Sequence, residues 1–170
     1  MGAEIKVYKG KEVRQKLTRK KRKEIARRVK AKLAEYPQWT RQLTLNQIHR
    51  SMLHDNAFIA IDRRVKGRKK PSAFAHLIPA KNESGEIKPG ELEVGGWTSW
   101  GGGGVQVMRE AVEEGKRRSN QVSALVHIEN NGGQQAVQKS GGTISGDTRL
   151  SNYVTDKKGR RAQMYVVTFL

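Results

Sequence analysis

Four consecutive glycines, Gly101–Gly104, stand between the stretch ELEVGGWTSW and the segment VQVMREAVEEGKRR. In the latter, Val105, Met108 and Val112 recur on one helical face. A bare run in that place is a flexible linker, a strand-to-helix turn, or a cradle for a phosphate group. Two phosphate-loop templates fail on it. The P-loop pattern GxxxxGK needs Ser or Thr after its lysine, and no such pair follows these glycines. The dinucleotide fingerprint GxGxxG fails too, because from Gly102 its third glycine would fall on Val107. What remains is glycine backbone running from a strand into a helix. That offers free amide N–H groups and the positive end of a helix dipole to an anion. A linker needs neither the strand before it nor the amphipathic helix after it, and connections between strand and helix are usually this short.

Other reactive residue types narrow the field. The chain has no cysteine, which removes disulfides, thiolate-bound zinc and thiol nucleophiles. His49, His54, His76 and His127 are scattered without ligand spacing, so no metal site is expected. Lys and Arg number 34 against 16 acids, a formal charge of +18. Self-repulsion on that scale points to a polyanionic partner, nucleic acid before anionic membrane. MGAEIKVYKG lacks the apolar stretch of a signal peptide and no apolar run approaches membrane length, so a cytoplasmic protein without a membrane partner is expected. At 170 residues, 35% of them hydrophobic, a single domain with one real core is expected.

Around these residues the chain alternates strand and helix patterns. Residues 3–8 alternate as a short strand. Val13, Leu17, Ile25, Val29 and Leu33 recur at multiples of four and predict a strongly basic helix over about 11–36, stopped by Pro37. Thr44 or Asn46 caps a second helix, LNQIHRSMLHD. NAFIAID and SAFAHLIPA read as hairpin partners around a basic turn, and KNESGEIKPG reads as a polar loop. The strand 91–100 carries Gly95 and Gly96 in its middle, a mark of a bulge or of close approach by a ligand. A helix from Val105, a strand over 122–129, a short helix NNGGQQAVQKSGG and a terminal strand pair joined by DKKGRR complete the chain. The order predicts an α/β fold with a mixed sheet and about four helices.

Two motifs carry a family resemblance over the whole chain. In the GNAT superfamily of N-acetyltransferases, a loop Q/R-x-x-G-x-G/A links the fourth strand to a helix, and here Ser99, Gly102 and Gly104 stand at its positions. Downstream, Asn130 ends a strand and Gly141-Gly142 stands where that family has Gly-Phe. The chain therefore resembles a GNAT protein. The resemblance implies a mostly antiparallel sheet with a splayed central strand pair, and acetyl-CoA (or another acyl-CoA) as cofactor. It implies that Trp97, Thr98, Ser99, Gly101, Gly102, Gly103, Gly104, Val105 and Asn130 bind the cofactor, with backbone near Trp97 serving as the oxyanion donor.

For acetyl transfer to an amine, Glu91 and Glu93 are the candidate bases. The family's acidic Tyr is replaced by Val137, leaving Tyr153 as a candidate acid from elsewhere in the chain. Trp97 and Trp100 are either packing residues or an aromatic wall for the acceptor. Basic residues cluster as Arg19, Lys20, Lys21, Arg22, Lys23 and Arg27, then Arg63, Arg64, Arg68 and Lys69, then Lys157, Lys158, Arg160 and Arg161. In a GNAT fold the helix pair that holds the first cluster and the last hairpin that holds the third border the acceptor groove. That favours an acceptor on nucleic acid or nucleoprotein: aminoacyl-tRNA, a modified base, or a lysine or N-terminus. The rival reading is a non-catalytic nucleic-acid-binding protein on the same scaffold.

Overall fold

A computed structural model describes residues 5–62 and 70–170. The expected contacts Arg63, Arg64, Arg68 and Lys69 lie outside the described residues. Along the chain run β1 (Ile5–Lys9), α1 (Lys11–Lys16), α2 (Arg19–Leu33), α3 (Leu45–Leu53), β2 (Ala57–Asp62), β3 (Lys70–Lys81) and β4 (Ile87–Ser99). Then follow α4 (Gly104–Arg118), β5 (Gln121–His127), α5 (Asn131–Lys139), β6 (Gly142–Thr155) and β7 (Arg161–Phe169).

The single basic helix expected over 11–36 is two helices, and the reason is phase. Each helical residue advances about 100°, so apolar residues at every fourth position drift by about 40° a step. From Val13 to Leu33 the drift reaches about 200°, and no straight helix buries both on one stripe. The chain resets at Leu17 and Thr18, which are extended. The Thr18 hydroxyl accepts the Lys21 N–H at 3.1 Å, and Arg22 Nη1 donates to the Leu17 carbonyl at 2.6 Å. With the phase restored, Val13, Leu17, Ile25, Val29 and Leu33 are all buried. α3 starts on a capping box between Thr44 and Gln47.

The strands form one seven-stranded sheet in the order β1-β2-β3-β4-β5-β7-β6. Among the described residues only the β4–β5 pair is parallel. β2 is buried at every position. Its Phe58 and Ala60 enter the core under α4 and α5, while Ala57, Ile59 and Ile61 enter the opposite core under α1–α3.

Two irregularities in this sheet make room for a site. The β3–β4 register slips between Phe74↔Thr98 and His76↔Gly95, so β4 carries one extra residue there. Gly96 sits in the bulge at φ +57°, and a Cβ on it would lie 2.9 Å from Leu43 Cδ1. The β4–β5 ladder, moreover, covers only Glu91–Glu93 against Gln121–Ser123. Beyond it both strands continue unpaired with each other, which is the splay.

A third feature was not expected. Only half of KNESGEIKPG is loop: an Asn82-centred turn over 82–86 returns the chain and β4 begins at Ile87. Three side chains of the β6–β7 arm bind this hairpin. Arg149 Nη1 donates to the Lys81 carbonyl at 2.7 Å, Asn152 Nδ2 to the Asn82 carbonyl at 2.9 Å, and Arg161 Nη2 to the Glu83 carbonyl. The arm thereby bridges the splayed strands. Among the described residues no helix is long and apolar enough to cross a membrane, and no His, Cys, Asp and Glu cluster is placed to hold a metal.

Candidate functional site

The splay opens into a cavity of about 630 Å³. Its floor is the diverging strands, Glu93–Ser99 on one side and Ala124–His127 on the other. At one end it meets Met108 of α4 and Asn130–Gly133 and Val137 of α5. At the other it meets Tyr36, Trp39 and Arg41 from the α2–α3 connection and Ser151, Tyr153 and Val154 from β6. The cavity therefore passes through the sheet, from the α4/α5 layer to the α2/β6 side.

The glycine run forms the turn from β4 into α4. Gly103 caps the helix at φ +88° without any side-chain cap bond. The first amides of α4, Gly104 to Gln106, thus have no partner within the helix, while Val107 N–H already binds the Gly103 carbonyl at 2.9 Å. A Cβ on Gly103 would stand 2.6 Å from Ala60 Cβ, so this glycine is what seats the loop on β2. Both indoles fasten the turn: Trp97 Nε1 donates to the Gly104 carbonyl at 2.8 Å, and Trp100 Nε1 to the Pro71 carbonyl at 2.7 Å. Trp97, Thr98 and Ser99 line the cavity, whereas Trp100 packs on the α1–α3 core under Arg28.

Asn130 is the N-cap of α5, its Oδ1 accepting the Gly133 N–H at 2.9 Å. Its side chain is therefore partly committed to the helix. Val137 faces the cavity from that helix, so no hydroxyl is supplied from this position.

Of the two acids, Glu93 lines the cavity and Glu91 does not; the latter is paired with Lys88 at 2.7 Å. As a residue Glu93 is only half-buried, because it borders the open cavity, yet its carboxyl is closely surrounded by protein. That burial pushes the carboxyl up to about 7, against the opposing pull of Arg149, Arg41 and Lys81. Tyr153 lies in the opposite wall with the Arg41 guanidinium 3.8 Å from its ring centre and Lys81 Nζ at 5.5 Å. His127 also lines the cavity, and its Nδ1 accepts the Glu129 N–H at 3.1 Å. His76 lies beneath the bulge, and burial followed by the field of Arg41 lowers its pKa to about 4.

No family model matches the sequence, and no curated protein matches it. Solved structures do match. A chain of the NatC complex bound to Gag peptide and CoA superposes with a TM-score of 0.68 at 11% identity, covering 98% of both chains. Spermidine N-acetyltransferase from Vibrio cholerae, in complex with CoA and spermine, gives 0.63 at 12% over 99% of this chain and 96% of that one. Ribosomal-protein-alanine N-acetyltransferase from Brucella melitensis gives 0.59 at 15%, covering 87% and 95%. The chain has the GNAT fold.

On the GNAT fold the basic residues divide sharply. Arg19, Lys20, Lys23 and Arg27 are exposed on α2 without ion pairs among the described residues. Lys21 pairs with Glu24 at 3.7 Å, and Arg22 serves the Leu17 carbonyl. Arg160 pairs with Asp156 inside the β6–β7 turn, and Arg161 bonds Ser151, Asn152 and Glu83. Lys157 and Lys158 are exposed at the tip of that turn. Sequence reasoning missed Tyr36, Trp39 and Arg41, which build one wall of the cavity. The compact cluster YPQWTR was the available signal, and only its Pro37 was used.

Proposed function

We propose that the chain is an acyl-CoA-dependent N-acyltransferase, acetylating an amine on a nucleic-acid-associated acceptor: aminoacyl-tRNA, a modified base, or a nucleoprotein lysine or N-terminus. The observation that supports this is the cavity through the splayed β4–β5 pair, lying beside a helix whose first amides have no partner within the helix. The residues present fit the cofactor. Bound acetyl-CoA supplies an activated acetyl group as its thioester. Gly104, Val105 and the following amide of α4 would hold its pyrophosphate, with Gly101–Gly103 keeping side chains out of the approach. Trp97, Thr98, Ser99 and Asn130 would flank its pantetheine arm.

Glu93 is the base of this reading. A carboxyl near 7 is half ionised at neutral pH and takes an ammonium proton more readily than an ordinary carboxylate would. Tyr153, held against Arg41, is the candidate proton donor. Exposed cations on α2 supply the attraction for nucleic acid, and the reading includes a cytoplasmic location. Thermal melting with acetyl-CoA tests it: ligand at a hundredfold its dissociation constant adds about 2.7 kcal/mol. No shift at millimolar acetyl-CoA sinks the proposal.

Val137, standing in the cavity wall where a phenol would supply the acid, favours a second reading: a non-catalytic nucleic-acid-binding protein on the same scaffold. A melting shift without turnover on any amine would support that alternative.

A further inference from the structure

At the acceptor end of the cavity Arg41 and Trp39 stand in the wall, with Lys81 and Arg149 behind it. Arg41, Lys81 and Arg149 all act on the Glu93 carboxyl, yet among the described residues none of the three forms an ion pair. Arg41 rests on the Tyr153 ring, and Lys81 approaches the same ring. Arg149 spends Nη1 on the Lys81 carbonyl, while its Nε is buried without a hydrogen-bond partner. Trp39 Nε1, in the cavity wall, is likewise buried and unpartnered. All four side chains are half-buried, so their donors are partly stripped of water. Buried donors left unpaired are costly, and cations in reduced dielectric attract an anion more strongly than they would at an open surface.

A site built in this way does not suit a polyamine. Arg41, Lys81 and Arg149 surround Glu93, while the neighbouring Glu91 is already paired with Lys88, so a second ammonium on the acceptor would meet net repulsion at this end. An acceptor that brings its own carboxylate or phosphate would meet the unpaired Arg41 guanidinium in the wall and offset the charge. The cations also favour the neutral form of an incoming amine, which is the nucleophilic one.

We propose that the acceptor mouth binds an anionic group, a carboxylate or a phosphate, carried by the acceptor beside its amine, with Arg41 and Trp39 in the cavity wall and Lys81 and Arg149 adding positive field from behind it. This rests on the acyltransferase reading for the identity of the amine, while the anion preference is measurable apart from catalysis.

The test is calorimetric titration of the whole chain, saturated with CoA, using two matched pairs: phosphoethanolamine with ethanolamine, and the dipeptide amides Ala-Asp with Ala-Asn. The anionic member of at least one pair binds about tenfold or more tightly than its neutral partner, as charge-assisted bonds imply. The pair that shows the gap identifies the anion as phosphate or carboxylate. In Arg41→Gln and Lys81→Gln, with folding verified by melting, the gap narrows to about threefold or less. Equal affinity within each pair for the wild-type chain, or no measurable binding at millimolar concentration, overturns the proposal. Thiol release from acetyl-CoA with the same four amines is read separately. Turnover without anion preference would fail the mouth but not the acyltransferase; anion preference without turnover would do the reverse.

Discussion

Glu93 and His76 stand on neighbouring strands near one bulge, and their titrations oppose each other. Burial lowers His76 from 6.5 to about 4. Its stability contribution is complete above 6.5 and is lost as pH falls through 4, because the unfolded chain takes up the proton first. At about 1.4 kcal/mol per unit this amounts to roughly 3 kcal/mol. Glu93 is raised from 4.5 to about 7, so its contribution is complete below 4.5 and lost as pH rises through 7. Between about pH 4.5 and 6.5 the two slopes largely cancel, and denaturant midpoints of the wild-type chain should vary little there. His76→Leu removes the acid-side loss and leaves midpoints falling with pH across that range. A midpoint profile unchanged by His76→Leu would contradict the assignment. For catalysis, kcat/KM should rise with pH to a plateau with an apparent pKa near 7, and Glu93→Gln should cost about a hundredfold or more. Retention of that pH step in Glu93→Gln would show that another group is the base. Both acids could be named from the sequence, but the choice between them could not. It depends on Lys88 occupying Glu91 and on the splay exposing Glu93. Arg41 was harder still, because its importance comes from a residue 112 positions away, Tyr153.

At the scale of elements, local chemistry was legible wherever a cap or a bulge has its own residue signature. Thr44 and the Gly95-Gly96 pair announced an α3 start and a β4 irregularity, and both are present. The break at Thr18 was not read, since apolar residues at multiples of four imitate a continuous helix until their phase is followed. Thr18→Ala should therefore destabilise the chain by about 1 kcal/mol in denaturant titration. The glycine run gives a sharper comparison. Gly102 and Gly103 both have left-handed φ, at +104° and +88°, but the nearest atom to a Cβ on Gly102 is the flexible Ile5 Cδ1 at 3.4 Å. On Gly103 it is Ala60 Cβ at 2.6 Å, fixed in the sheet. Gly103→Ala should lose more stability than Gly102→Ala, and weaken acetyl-CoA binding with it, because the turn that aims the α4 amides must shift. Equal losses in the two variants would mean that backbone φ alone governs this turn. The β6–β7 arm crossing to the β3–β4 hairpin was invisible in sequence for another reason. Its bonds end on the main-chain carbonyls of Lys81, Asn82 and Glu83, which any residue type would present.

Across the whole molecule, the order of elements could be read from periodicity, whereas strand neighbours required the observation that a helix separates β4 from β5, which permits a parallel pair. Charge was legible from composition, but its distribution was not. Lys20, Lys23, Arg27 and Lys30 are exposed, unpaired among the described residues, and spaced three, four and three apart. They form one stripe about 15 Å long on α2, on a face away from Ile25, Val29 and Leu33. Such a stripe adds to the self-repulsion of a chain carrying +18, so it costs stability unless a polyanion covers it. Replacing all four by Gln, which keeps helix propensity nearly constant, should therefore raise the melting temperature of the free protein at low salt. If single-stranded nucleic acid lies along the stripe, the same variant should bind it more weakly. The slope of log K against log salt would also become shallower by about 3, at roughly 0.7 per neutralised phosphate. Fluorescence titration across a salt series measures both affinity and slope. An unchanged slope would move the nucleic-acid contact off α2, and the raised melting temperature would then report only the relief of repulsion within the chain.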